Sequence, residues 1–487
     1  MLALAPDSAA AHVALGATLL DRGDLDEATL ALRRATELDP ELAAAHFFLG
    51  NALRERGELD EALARYRRAS ELAPSDPKSG SNLVYTLAFS AGVTAREILA
   101  EARAWAARHA PARPSTVHDN ERSSERRLRI GYVSPDFREH VQSFFTLPLF
   151  RHHDRQSFEI VCYASVERPD AVTDAIRASV DGWRDVVALG DDAVAELVRS
   201  DRVDILVDLT MHMANGRLGA FAQKPAPLAV TWLAYPGTTG VSAIDYRITD
   251  PFLDPKDAPP GAYAEASLEL PETFWCYDPR TSEPEPGNLP AKERGFVTFG
   301  CLNAFPKVNA AVVELWARVL GAVPRSRLVL LAPAGASQAR LFEAFARHGV
   351  ASERVTMVER RARREYLAGY RDIDVCLDTF PYNGHTTSLD ALWMGVPVVT
   401  LVGDTVVGRA GLSQAMNLGL PELVARTQEE YVARAQALAG DLERLAELRL
   451  GLRSRLRESP LMNAERFARH LETAFRGAWR RWLASSP

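Results

Sequence analysis

Apolar residues near the start of the chain recur at helical spacing, and the pattern itself repeats. PDSAAAHVALGATLLDRGDLDEATLALRRATELD, from Pro6, aligns without a gap on PELAAAHFFLGNALRERGELDEALARYRRASELA, from Pro40, a period of 34 residues. His12, Leu15, Gly16, Gly23, Ala28 and Ala35 return as His46, Leu49, Gly50, Gly57, Ala62 and Ala69. This predicts two helices per unit, joined by a turn at RGDLD or RGELD. A third, degraded unit runs from about Pro74 through LVYTLAFSAG to AWAARH. The leading LALAP reads as the tail of an earlier unit, since Leu4 and Pro6 return at Leu38 and Pro40. Either the native array extends upstream or the protein is a shortened relative of longer ones.

The unit resembles the tetratricopeptide repeat, whose concave face receives extended peptides or merely caps the domain behind it; both roles are open. After the polar segment PARPSTVHDNERSSERR the period changes, and short β-rich runs alternate with helical stretches, the signal of parallel sheets. LRIGYVS, FEIVCYA, VDILVDL, LAVTWLAY and DYRITD form one set of strands; FVTFGCL, RLVLLAP, RVTMVE, DVCLDT and PVVTL form another. A Pro-rich stretch from Pro271 to Pro290 separates them. The expected fold is α plus α/β: repeats over 1–110, a linker over 111–126, and Rossmann-like domains over 127–285 and 286–487. MNAERFARHLETAFRGAWRRW is read as a final amphipathic helix that crosses back to the first domain. Ligands of open α/β sheets bind beyond the carboxyl ends of the strands, and two such edges offer a cleft.

Composition narrows the function. Of 487 residues, 47% are apolar and 25% charged, which is ordinary globular protein. No apolar run approaches the ~20 residues that span a bilayer, and the start lacks the basic head of a secretory signal, so the cytoplasm is expected and no membrane. Cys162, Cys276, Cys301 and Cys376 are scattered, without a CxxC pair, and read as buried thiols in a reducing compartment. A net charge of -7 argues against nucleic acid as a partner. Arginine supplies nearly all the positive charge, the lysines being Lys78, Lys224, Lys256, Lys292 and Lys307 only.

Candidate chemistry collects at strand exits. After DVCLDT comes FPYNGHTTSLDALWMG, in which Asn383 and Gly384 turn the chain and a helix begins near Thr386. Backbone N–H groups there, with His385, Thr386 and Thr387, suit a diphosphate, and Asp390 one turn on suits ribose hydroxyls. The plain alternative makes the threonines caps and Asp390 a first-turn charge. Lys307, in the loop NAFPK after FVTFGCLN, is a phosphate contact or a surface residue. His140, in SPDFREHVQSFF, is placed to act as a base, as a donor to a sugar, or as a solvated loop residue, and His212 carries the same alternatives. WLAYPGTTG brings backbone close to a ligand or simply turns. Asp372 and Asp374 form a DxD that enters its strand instead of leaving it, which disfavours metal-assisted transfer.

The order of IGYVSPDF, PAPLAVTWLAYPGTTG, DYRITD, an asparagine-lysine loop, DVCLDTFPYNGHTT and LDALWMGVPVVTL behind the repeats resembles the O-linked N-acetylglucosamine transferases. The resemblance implies a GT-B glycosyltransferase of two Rossmann-like domains. It implies metal-independent, inverting transfer from UDP-N-acetylglucosamine to serine or threonine of a protein or peptide acceptor, with the repeats as a candidate holder. By resemblance Lys307 neutralises the diphosphate and His140 is the proposed catalytic base. His385, Thr386 and Thr387 contact uracil and phosphate, and Asp390 the ribose. Asn303, in the lysine loop, contacts the donor, Tyr366 stands where a histidine stacks on uracil, and Pro236, Gly237 and Thr238 line the sugar pocket. Ala304 replaces an amide, and Arg199 a histidine of animal members. Plant relatives of similar layout transfer fucose, so GDP-fucose is the alternative donor; a repeat-bearing binding protein of weak activity is the alternative from another class.

Overall fold

Each repeat folds as a helical hairpin for reasons visible in its recurring residues. A computed structural model describes residues 6–111, 113, 118–254 and 261–485. Leu4 and part of the polar segment after the repeats therefore lie outside the described residues. Helices α1 (Ala9–Arg22), α2 (Leu25–Leu38), α3 (Ala43–Glu55), α4 (Leu59–Leu72), α5 (Pro77–Leu87) and α6 (Ala95–His109) follow one another. Gly50 lets α3 and α4 close together, because a Cβ there would lie 2.7 Å from the Tyr66 ring; Gly16 meets Leu32 in the same way. Ala28, Ala35, Ala62 and Ala69 are the small buried residues of the facing helices. The repeated histidines are structural: His12 and His46 each place Nε2 2.9 Å from the carbonyl of Pro6 or Pro40, six residues back.

Two compact units divide the chain. One comprises Met1–Val93, Thr281–Leu412 and Leu420–Ser454; the other comprises Thr94–Arg280, Ser413–Gly419 and Arg455–Pro487. The repeat helices α1 to α5 thus belong to the first unit, and α6 to the second.

The second unit holds a parallel sheet of β1 (Leu128–Ser134), β2 (Phe158–Ala164), β3 (Gly182–Asp185), β4 (Ile205–Asp208), β5 (Leu228–Thr231), β6 (Tyr246–Thr249) and β7 (Ala266–Glu269), in the order 3-2-1-4-5-6-7. The helix Ala464–Ser485 closes one side of it, burying Phe467, Leu471, Phe475 and Trp479. The Trp479 indole donates to the Ser123 carbonyl at 3.0 Å, and Glu472 meets the buried His153 at 3.0 Å.

The first unit holds β8 (Thr298–Cys301), β9 (Arg327–Leu331), β10 (Val355–Val358), β11 (Val375–Leu377), β12 (Val398–Leu401) and β13 (Val424–Ala425), in the order 10-9-8-11-12-13. Both orders are those of a Rossmann-like sheet, which reverses direction between its first and fourth strands. The central strands are apolar and buried on both faces, hence their legibility in the sequence. β3, β7 and β13 were not among the expected strands. All three are edge strands: β3 and β7 are polar and partly exposed, and β13 has two residues. Among the described residues no helix is long and apolar enough to cross a membrane, and all four cysteines are free and buried.

Candidate functional site

The switch point of the first unit lies between β8 and β11, and the segments leaving these two strands carry Asn303, Lys307, His385, Thr386, Thr387 and Asp390, while Tyr366 lies on the helix Arg363–Gly369 that precedes β11. After β8 the chain makes a short turn, Phe305–Lys307, that swings the lysine back over the strand end. Lys307 Nζ donates to the Asn383 carbonyl at 2.7 Å and lies 4.0 Å from the centre of the Tyr382 ring. Burial lowers its pKa to about 8, against the pull of Asp378. At pH 7 it is a cation that has already lost much of its water.

β11 ends at Asp378, whose buried carboxylate organises the following loop. It accepts from the N–H groups of Gly384 at 2.6 Å and Thr379 at 2.9 Å, from the Thr400 hydroxyl at 2.8 Å, and from the Asn303 amide at 3.3 Å. Burial pushes this carboxyl up to about 6, against those hydrogen bonds and the Lys307 charge. The Asn303 amide also donates to the Thr379 hydroxyl at 2.9 Å, so its donor end faces the protein. Space at Gly384 is tight: a Cβ would overlap the Ser388 hydroxyl oxygen and stand 2.8 Å from Asn303 Oδ1.

The helix Thr386–Trp393 then starts with His385 at its N-cap position and no side-chain capping bond. The threonines are therefore first-turn residues and not the cap. Open N–H groups at a helix start attract anions, and the two threonine hydroxyls stand beside them. The His385 Nε2 is 3.3 Å from the Val407 carbonyl, and burial, then the Lys307 charge, keep the ring neutral. Asp390, buried, is held in a two-pronged ion pair with Arg363, both contacts at 2.6 Å. The Tyr366 hydroxyl is 2.8 Å from that of Tyr370, which donates to the Thr387 carbonyl at 3.1 Å. Ala304 is exposed.

In the second unit the switch point lies between β1 and β4, and His140 follows β1. It lines a cavity of about 370 Å³ with Asp136, Arg138, Ser165, Arg168 and Asn215 among its walls. Burial lowers its pKa, outweighing Asp136. The Gln142 N–H approaches Nδ1 at 3.4 Å, which favours the neutral tautomer protonated at Nε2. His212 is a core residue: it lies edge-on to Trp105 at 4.7 Å, bonds the Thr239 carbonyl at 2.8 Å, and is lowered to about 4 by burial. Pro236 is buried and Gly237 half-buried. The Thr238 hydroxyl donates to buried Glu265 at 2.7 Å and accepts from the Ala264 N–H at 3.0 Å, so this side chain is spent inside the protein. Arg199 bonds the Gln223 carbonyl at 3.0 Å. Of the DxD pair, Asp374 accepts from the N–H groups of Ala291 and Thr298 at 2.9 and 2.8 Å, and Asp372 pairs with Arg294. Among the described residues no three His, Cys, Asp or Glu stand together as a metal site.

The sequence model of glycosyl transferase family 41 matches residues 108–284 and 288–471, most of the chain. The chain belongs to glycosyl transferase family 41. The tetratricopeptide repeat model matches residues 2–41 and 13–77. A protein of Oryza sativa subsp. japonica, the probable UDP-N-acetylglucosamine--peptide N-acetylglucosaminyltransferase SPINDLY, is 40% identical over 392 residues, across 78% of this chain and 42% of that protein. Its namesake in Solanum lycopersicum is 38% identical over 421 residues, across 84% and 45%. The chain thus spans less than half the length of these curated relatives. Among solved structures, a mutant of the Thermobaculum terrenum O-GlcNAc transferase superposes with a TM-score of 0.93 at 42% identity, covering 100% of this chain and 93% of that one.

Within this family 41 member the structure adds residues that the sequence reading passed over. Asp378 was visible as the acid that ends a buried strand in DVCLDT, a placement that is costly without several donors. Arg363, Tyr382 and Glu265 had no such signal, because each gains its partner from a segment distant in sequence or across a turn.

Proposed function

We propose that this protein is an inverting glycosyltransferase that moves N-acetylglucosamine from UDP-N-acetylglucosamine to serine or threonine hydroxyls of proteins. One observation carries the reading: a part-desolvated lysine and the uncapped start of a helix stand at the same sheet switch point. The names and fold of the relatives supply the sugar and the acceptor class. The acceptor oxygen attacks the anomeric carbon, the bond from that carbon to the UDP oxygen breaks, and the electron pair leaves with the diphosphate. Lys307 and the N–H groups of the helix start stabilise that charge, the largest contribution expected for such a step. Tyr366 and Asp390, beside the helix start, serve base and ribose.

His140 fits a hydrogen bond to the sugar or acceptor from Nε2, and the departing phosphate then takes the acceptor proton. Pro236 and Gly237 offer backbone to the sugar; Thr238 shapes their loop from within. No metal enters this scheme. The buried free thiols suit a reducing compartment, the cytoplasm.

Intact-mass measurement of candidate acceptors, incubated with a panel of nucleotide sugars, tests the reading. An added N-acetylhexosamine that depends on UDP-N-acetylglucosamine is the expected result. A deoxyhexose increment with GDP-fucose would assign the other donor. Lys307→Ala should lower turnover by about two or more orders of magnitude, the size of losing one oxyanion donor. Near-normal turnover in that variant would reject the role of Lys307.

A further inference from the structure

A line of aromatic contacts runs from the repeat helices to Lys307. α5 ends at Leu87, and the turn beyond it buries Phe89. The Phe89 ring stacks on Tyr382 at 4.7 Å between centres and 10° between planes, with Tyr85 edge-on to Phe89 at 5.0 Å. The same Tyr382 ring carries Lys307 Nζ at 4.0 Å and packs on the His385 ring at 4.8 Å. Phe89 and Tyr382 are each 4% exposed, so water does not compete for this stack. A second repeat contact reaches the same loop. The turn glycine Gly57 abuts Phe305, two residues before Lys307, where a Cβ would lie 3.1 Å from the ring.

We propose that the repeat module is part of the donor site, with Phe89 acting through Tyr382 as a positioning residue for Lys307. The inference rests on the reading of Lys307 as a diphosphate contact. A lysine has four rotatable bonds, and a cation held over a ring face by electrostatic attraction loses much of that freedom before the ligand arrives. The ring can do this only while its own plane is fixed. Phe89 fixes it from one side, and the Tyr382 carbonyl, accepting from the Thr379 hydroxyl at 2.7 Å, anchors its backbone. A role of the repeats confined to holding acceptors gives Phe89 no such influence on the nucleotide.

UDP binding by calorimetry, and donor KM and kcat on a short peptide, test this in Phe89→Leu, Phe89→Ala and Phe89→Tyr. Thermal melts report whether each variant is folded. Leucine keeps apolar bulk and loses the stack, so Phe89→Leu is informative even if Phe89→Ala does not fold. The expected result is UDP affinity about three- to ten-fold weaker in Phe89→Leu, the worth of one aromatic pair. Phe89→Tyr, which keeps the ring, should lie within about two-fold of wild type by the same reasoning. A folded Phe89→Leu protein with wild-type UDP affinity and donor KM overturns the proposal, as does equal loss in the leucine and tyrosine variants. Absence of UDP binding by the wild-type chain overturns the donor reading itself, and this inference with it.

Discussion

Lys307 is a cation that has given up part of its hydration in exchange for a carbonyl, a ring and a nearby carboxylate. Its ammonium is ready for an anion but loses its proton sooner than an exposed lysine does. If Lys307 makes the proposed diphosphate contact, UDP affinity should hold below about pH 8 and fall as pH rises through that value. The decline should approach about ten-fold per pH unit if a single proton is linked. His385, kept neutral by burial, adds no second step above neutrality. Calorimetric Kd values for UDP between pH 6.5 and 9.5 check this; a flat profile would remove Lys307 from the contact. His140 answers to a different test. With Nδ1 facing an N–H, its removal should lower turnover while the acid limb of the pH–rate profile stays in place. Loss of that limb in His140→Ala would restore the histidine as the base.

Among the elements, the helix Thr386–Trp393 and the helix Ala464–Ser485 solve opposite problems. The first is short and begins without a cap, an arrangement that leaves N–H groups for a ligand. Asp378 sets where it begins by holding Gly384, so the opening turn is determined by a residue on the preceding strand exit. The second is long and amphipathic, and its apolar side completes the core of the sheet β1 to β7. Trp479 is fully buried there, and Trp479→Ala should cost about 3–5 kcal/mol, the usual range for emptying such a site. The denaturant midpoint measures it, and a loss under about 1 kcal/mol would show that the helix adds little to that core. The repeat helices show a third principle: their glycines serve close packing at Gly50 and a tight turn at Gly57, and the second of these also leaves room for Phe305.

At the scale of the whole molecule, the exits of β8 and β11 bring Lys307 and the helix start at Thr386 to the switch point of one Rossmann-like sheet, and His140 follows β1 at the switch point of the other. UDP should therefore slow amide exchange over residues 303–308 and 384–391 while leaving α1 and α2 unchanged. Exchange measured with and without UDP checks the placement, and protection confined to other segments would move the site. The repeat period, the buried central strands, and the placement of Lys307 and the NGHTT turn at strand exits were legible in the chain alone. Each rests on local information: a recurring residue, an apolar run, a glycine beside an asparagine. The edge strands were not legible: β3 and β7 because a strand with polar, exposed positions resembles a loop, and β13 because its two residues are too few to form a pattern. Partnerships across the chain were equally hidden, among them Asp390 with Arg363, Thr238 with Glu265, and Phe89 with Tyr382. Such pairs decide which polar atoms still face a ligand and which are already satisfied inside. The order of residues along the chain thus determined which groups exist and which turns carry them. Folding alone decided which of those groups remain available, because hydrogen bonding and burial depend on neighbours that sequence distance does not reveal.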